Sequence, residues 1–241
     1  GKAVAIIPAR GGSQRIPRKN LLPLVGHPVV AHSIVQARLA ESVDRVYVST
    51  DHPEIVRVST SYGAQVIRRP DSLADEKATS ESALLHVLDE VGGSGAPDPE
   101  FVVFLQCTSP VRRPEAIDAA VALLKREGAD SVFSATLNNR LIWGLRDGEP
   151  YSLSYDYHTR KREQDMAVQY RENGSIYAFR TDLLRSTGNR LGGRIRVLEM
   201  DYWSSFQIDE PEHLELIEWI LTRPQYDPTA LFARSGFRNS K

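Results

Sequence analysis

Five consecutive apolar residues, Phe101-Val-Val-Phe-Leu105, constrain the fold of this chain more than any other feature. They follow a connector of Gly, Ser and Pro at 92–99 and stop at the polar Gln106. A strand with one wet face alternates apolar and polar residues. A continuous apolar run of strand length instead marks a strand covered on both faces. The rest of the chain supplies the covers. Strand-like runs at Ala3–Ile7, Arg45–Ser49, Gln65–Ile67 and Ser131–Ala135 alternate with amphipathic stretches at 28–40, 53–62, 80–91 and 114–127. In the first of these stretches Val30, Ile34 and Ala37 recur at helical spacing; Pro53 opens the second where a missing N–H costs nothing. Repeated alternation of this kind predicts an α/β three-layer sandwich with a mostly parallel sheet.

After Ala135 the alternation fails. Residues 138–171 are polar, rich in Tyr and Arg, and without a sustained period, which marks an insertion with a job of its own. Strand character returns at Ser175–Arg180 and Ile195–Met200, and Pro211–Leu221 forms a last helix with Leu214, Ile217 and Leu221 on one face. The chain is therefore expected to be one domain over 1–222, followed by a polar, partly disordered tail at 223–241. A length of 241 residues suits that organisation.

Charge and cysteine content exclude several classes. Lys+Arg 30 against Asp+Glu 31 leaves a net charge of −1, unlike a dedicated nucleic-acid or membrane-surface binder. The single cysteine, Cys107, allows no intramolecular disulfide. No apolar run approaches the roughly 20 residues of a membrane span, and the apolar start at 2–8 is too short for a secretion signal and reads as a strand. The expected location is the cytoplasm.

Ligands of open parallel sheets bind beyond the carboxyl ends of the strands. There the first strand runs into Pro8-Ala9-Arg10-Gly11-Gly12-Ser13, then Arg15, Arg18, Lys19 and Asn20. Adjacent glycines let backbone N–H groups face an anion with no Cβ in the way, and guanidinium forks and an ammonium neutralise phosphate oxygens. The pattern is neither a G-x-x-x-x-G-K-[ST] loop nor a G-x-G-x-x-G turn. Four cations at one strand end would repel one another without an anion.

The same loop, with Pro17-Arg-Lys-Asn20, resembles the nucleotide-binding signature of the acylneuraminate cytidylyltransferases, which make CMP-activated sialic and related nonulosonic acids. The resemblance continues in order through Ser49-Thr-Asp51, Arg69-Pro70, Leu105-Gln-Cys-Thr-Ser-Pro110, Asn173-Gly-Ser-Ile-Tyr177 and Ile208-Asp209. It implies a nucleotide-diphospho-sugar transferase-like fold, transfer of CMP from CTP to a nonulosonic acid with Mg²⁺, and a homodimer. It further implies that Ala9, Arg10, Gly11, Gly12, Ser13, Lys19 and Asn20 meet the nucleotide, chiefly its triphosphate. Arg69 and Ser80 fall near the cytosine. Gln106 and Tyr177 fall at the sugar acid, flanked by Arg171 and Asn173, and Asp209 falls at the metal.

The chain departs from the family in two places. Gln14-Arg15 stands where sialic-acid members often have Lys-Gly, so Arg15 is expected to take over that charge and act with Arg10 and Lys19 on the leaving pyrophosphate. Gln207-Ile-Asp209 offers one carboxylate where the family commonly has two. Mg²⁺ manages with one or two carboxylates plus substrate phosphates. Other readings stay open at this stage. Asp209 and Glu212 have capping-box spacing before the last helix, Tyr177 fits a core position, Gln106 fits a strand-end amide, and Asp51 fits a turn. Arg112 and Arg113 fit either a carboxylate contact or a solvated loop. CMP-Kdo synthesis or another sugar nucleotidyl transfer, and a nucleotide-binding domain without chemistry, are the alternative functions. The aromatic and arginine residues of 138–171 have the composition of an interface core, so this segment is expected to dimerise and lend a cation to a second subunit.

Overall fold

The structure, a computed structural model, describes residues 2–12, 15–75, 77–93 and 95–236. In chain order the elements are β1 (Ala3–Pro8), β2 (Pro23–Leu24), β3 (His27–Pro28), α1 (Val29–Leu39), β4 (Val43–Thr50), α2 (Pro53–Ser61), β5 (Gln65–Arg68), α3 (Ser80–Gly92) and β6 (Phe101–Leu105). They continue with α4 (Pro114–Glu127), β7 (Ser131–Leu137), β8 (Trp143–Arg146), β9 (Glu149–Ser152), β10 (Tyr170–Arg180), α5 (Thr181–Thr187), β11 (Ile195–Glu199), α6 (Pro211–Leu221) and α7 (Thr229–Arg234).

Seven strands form one sheet in the order β11-β7-β10-β6-β1-β4-β5. Pairings among β6, β1, β4 and β5 are parallel, as is that of β11 with β7, while β10 runs antiparallel to both of its neighbours. The central run divides by parity, as a doubly covered strand must. Phe101, Val103 and Leu105 enter the core shared with α1, α2, α4 and α6, whereas Val102 and Phe104 enter the one shared with α3. Strand β1 does the same with Ala3, Ala5 and Ile7 against Val4 and Ile6. The expected α/β sandwich is thus present, with β6 and β1 at its centre.

Two segments carry regular elements that their sequence did not announce. The segment 138–171 holds a hairpin, β8–β9, that forms a small sheet of its own. The tail carries an element as well: α7 buries Leu231 and Phe232 against Ala31 and Val35 of α1. Only two large apolar residues drive that docking, too few to stand out as a period in a polar stretch. Residues 237–241 lie outside the described residues.

Phe232 stacks on His27, with ring centroids 3.6 Å apart, and meets His32 edge-on at 5.0 Å. His32 is fully buried: Nε2 donates to the Leu24 carbonyl at 2.7 Å, and Nδ1 makes no hydrogen bond among the described residues. Burial draws its pKa down to about 4. An unfolded histidine takes up its proton near pH 6.5, so the unfolded chain binds more protons between these values and stability falls as the pH drops through that window. The expected loss between pH 6.5 and pH 4 is about 3 kcal/mol from this group. Urea unfolding across that range measures it, and His32→Gln should flatten the slope.

Candidate active site

A cavity of about 370 Å³ opens at the carboxyl ends of β1 and β6, walled on one side by the first turn of α3. Arg10, Gly12, Lys19, Asn20, Arg69, Ser80 and Gln106 line it together. The loop after β1 is held from several directions. Asn20 Nδ2 donates to the Arg10 carbonyl at 3.1 Å, and Lys19 Nζ to the Ile208 carbonyl at 3.2 Å. The Gly11 N–H goes to Asp51 Oδ1 at 2.9 Å, so Asp51 fastens this loop to the end of β4. A Cβ on Gly11 would lie 2.7 Å from His52 Cδ2, whereas one on Gly12 would meet nothing within 4 Å among the described residues. Gly11 is therefore a packing requirement, and Gly12 leaves backbone open to the cavity. Ser13 lies outside the described residues, and Ala9 is buried behind the loop.

The four cations divide into two pairs. Arg15 reaches Glu210 at 2.9 Å and Arg18 pairs with Glu54, both at the exposed rim. Arg10 and Lys19 face the cavity. Repulsion within the loop is thus relieved in part by carboxylates far along the chain, a point spacing could not reveal. Burial lowers the Lys19 pKa, the Asp209 carboxylate raises it, and Arg10 and Arg15 lower it again. Arg69 is 8% exposed, its guanidinium held by the Ser49 hydroxyl at 3.1 Å and the Ser49 carbonyl at 3.2 Å. Cys107 is buried, and burial pushes its thiol up to about 12, far from a nucleophile at neutral pH.

A second cavity, of about 300 Å³, contains Arg171, Asn173, Gln207 and Asp209, with Glu172, Tyr202, Ser205, Phe206 and His213. The amide of Gln207 donates to the Asn173 carbonyl. Gly174 sits in the left-handed region at φ +69°, where β10 loses register with β7. A Cβ there would collide with Gln207 Nε2 and lie 3.2 Å from Gln106 Nε2. Gln106 borders the first cavity and Gln207 the second, so their carboxamides converge over a residue that must lack a side chain. Gly174→Ala should cut kcat by more than tenfold, because the methyl displaces both amides and the backbone is strained. Steady-state kinetics alongside a thermal melt checks this.

Not every expected site residue faces a cavity. Tyr177 is 3% exposed, stacked on Phe104 with centroids 5.5 Å apart, capped by the Arg190 guanidinium 4.8 Å away, and donates its hydroxyl to Glu172. It packs in the core behind Phe104, which itself borders the first cavity. Asn173 is buried and engaged on both ends. Oδ1 accepts from Ser134 Oγ at 2.6 Å and from the Ser175 N–H at 3.1 Å, and Nδ2 donates to Ser205 Oγ at 3.1 Å. Arg171 is exposed at the mouth of the second cavity.

The capping reading of Asp209 gives way to another pair. Glu210 is the N-cap of α6 and its side chain meets the backbone of His213, whose Nδ1 accepts from the Glu210 and Asp209 N–H groups at 3.0 Å each. The Asp209 carboxylate accepts no hydrogen bond among the described residues, and no cluster of three acidic, His or Cys residues is present among them. The metal chemistry available is one free carboxylate beside Lys19. That donor set fits a Mg²⁺ ion held mainly by substrate phosphates, and does not fit an ion caged by protein alone. Arg112, read as a carboxylate contact or a solvated loop residue, is buried and does neither.

Residues 4–226 match the cytidylyltransferase family, and the chain belongs to it. Among its relatives is the N-acylneuraminate cytidylyltransferase of Escherichia coli O18:K1:H7, 34% identical over 218 residues, which are 89% of this chain and 51% of that one. The CMP-N,N'-diacetyllegionaminic acid synthase of Legionella pneumophila is 32% identical over 92% of this chain and 94% of its own length. The pseudaminic acid cytidylyltransferase of Campylobacter jejuni is 31% identical over 73% and 77%. The chain spans about half the length of the N-acylneuraminate relatives it matches. Its fold is also that of CMP:2-keto-3-deoxy-manno-octonic acid synthetase complexed with CTP, at a TM-score of 0.71 and 21% identity over 92% of this chain and 99% of that one. The fold recurs in 4-diphosphocytidyl-2C-methyl-D-erythritol synthase from Anaerococcus prevotii, at a TM-score of 0.65 and 13% identity over 92% and 97%.

Proposed function

We propose that this chain transfers CMP from CTP to the anomeric hydroxyl of a nonulosonic acid and releases pyrophosphate. The observation that carries the reading is the approach of two amides to Gly174, Gln106 from a cavity with Arg10, Gly12 and Lys19, and Gln207 from one with Arg171 and Asp209. Relatives named for sialic, legionaminic and pseudaminic acids support the acceptor class. The hydroxyl oxygen bonds the α-phosphorus in line, the bond to the bridging oxygen breaks, and pyrophosphate departs with the electron pair while the hydroxyl proton passes to solvent. Such a transfer needs positioning and charge stabilisation more than covalent help. Arg10 and Lys19 hold the leaving phosphates, with Arg15 at the rim. Arg69, Ser80 and Asn20 frame the nucleoside. Gln106 orients the reacting centre, and Arg171 meets the acid's carboxylate. Asp209 would hold Mg²⁺ together with the phosphates, and the ion supplies charge neutralisation there.

The test is a pyrophosphate-release screen with CTP and Mg²⁺ against sialic, legionaminic, pseudaminic, deaminoneuraminic and Kdo acids. Release with at least one nine-carbon acid is expected. Release with Kdo alone, or CTP binding without release on any acid, contradicts the reading.

The active form is a homodimer built on 138–171. Leu145 and Val168 are 74% and 71% exposed, and Leu141, Trp143, Leu153 and Tyr170 of the same segment are exposed as well. Large apolar side chains concentrated and exposed within one segment suit a surface covered by a partner. Light scattering should give twice the mass of the chain; a monomer mass at assay concentration refutes the dimer. No helix among the described residues is long and apolar enough to cross a membrane. The reading assigns the protein to a reducing compartment supplied with CTP, the cytoplasm.

A further inference from the structure

Arg112 lies in the loop between β6 and α4 and is 4% exposed. Its guanidinium makes five hydrogen bonds. Nε donates to Ser175 Oγ at 3.0 Å, Nη1 to Ser33 Oγ at 3.0 Å and Gln36 Oε1 at 2.6 Å, and Nη2 to the Gln106 carbonyl at 2.7 Å and the Ser175 carbonyl at 3.2 Å. All five acceptors are neutral, and Arg112 joins no ion pair among the described residues. Burial lowers its pKa to about 10. A dry cation with no counterion is unfavourable, and good hydrogen bonds repay only part of that penalty. Planar, five-donor geometry explains why arginine serves here: it ties α1, the exit of β6 and the bulge of β10 at one point. Gln36 completes the knot by donating Nε2 to the Pro110 carbonyl at 2.8 Å.

Two of the tied segments are those that meet at Gly174. We propose that Arg112 is a positioning residue of the transfer, a buried uncompensated cation that fixes Gln106 and Ser175 beside Gly174 and makes the neighbouring cavity attractive to anionic substrates. The inference rests on the proposed CTP-dependent reaction. It assigns Arg112 two separable effects, geometry from the fork and long-range attraction from the charge.

Arg112→Lys keeps the charge and loses the fork; Arg112→Met loses both. Kinetics with CTP, and CTP·Mg²⁺ calorimetry normalised to the folded fraction, separate the effects. Arg112→Lys should bind CTP within about threefold of the wild type while kcat falls more than tenfold. Arg112→Met should show the same fall in kcat and bind CTP about tenfold more weakly. Wild-type kcat and CTP affinity per folded molecule in both variants, with only a lower melting temperature, overturns the proposal. If either variant fails to fold, Ser33→Ala and Gln36→Leu loosen the guanidinium from the far side. A fall in kcat in those two supports the positioning role, and a lower melting temperature with unchanged kcat overturns it. A wild-type protein that releases no pyrophosphate refutes the reaction itself, and CTP affinity of the Arg112 variants then still decides the charge effect.

Discussion

Arg10→Ala and Lys19→Ala should each lower kcat/KM for CTP by about 10²–10³-fold, the size of one lost charge-stabilising donor aimed at a departing anion. Of the four cations in the loop after β1, Arg15 and Arg18 are matched by Glu210 and Glu54, leaving Arg10 and Lys19 at the cavity. Burial already holds the Lys19 pKa down, so its charge is poorly solvated and a phosphate replaces water at little loss. The double variant should fall short of the product of the two single effects, because in the proposed reaction both act on one pyrophosphate. Arg18→Ala serves as the contrast, since its guanidinium turns away to Glu54. Near-normal turnover by Arg10→Ala and Lys19→Ala would remove the loop from the chemistry.

Asp209→Asn should reduce kcat by at least about 10²-fold, as expected when an ion that contributes several kcal/mol of charge stabilisation is held less well. More Mg²⁺ should be needed for half-maximal rate, and chelation should abolish wild-type turnover until Mg²⁺ is restored. Thermal stability should barely change, because Glu210 and His213 cap α6 and the Asp209 side chain takes no part. That combination separates a metal-binding carboxylate from a capping one: a cap would lose about 1 kcal/mol of stability and leave kinetics alone. Melting curves and a Mg²⁺ titration read the two quantities independently.

Much of this architecture could be read from local pattern. Phe101–Leu105 announced a doubly covered strand because both its parities are apolar. Pro114 and Pro211 open α4 and α6 at the first helical turn, where proline is tolerated. The loop at 10–20 was visible because glycines and cations cluster at a strand's end.

What local pattern missed depends on partners distant in the chain. Nothing in Tyr170–Arg180 says that it runs antiparallel, since side-chain period is the same in both directions. Asp209 and Glu212 have the spacing of a capping box, but the cap is Glu210 with a histidine at the third position, a variant that the usual Glu or Gln pattern overlooks. The neutralisation of Arg15 spans 195 residues and that of Arg18 spans 36. Arg112, with Arg113, fitted either a carboxylate contact or a solvated loop, and only the folded chain brings Ser33, Gln36 and Ser175 around it. Tyr177 lies on a buried strand whose parity turns it toward Phe104, and it lines neither cavity.

A crystal structure with CTP and Mg²⁺ bound is the most direct measurement. The triphosphate should lie along the open backbone at Gly12, with its oxygens on Arg10 and Lys19 and the ion against Asp209. A nucleotide lodged elsewhere, with the turn after β1 bare, would contradict the account.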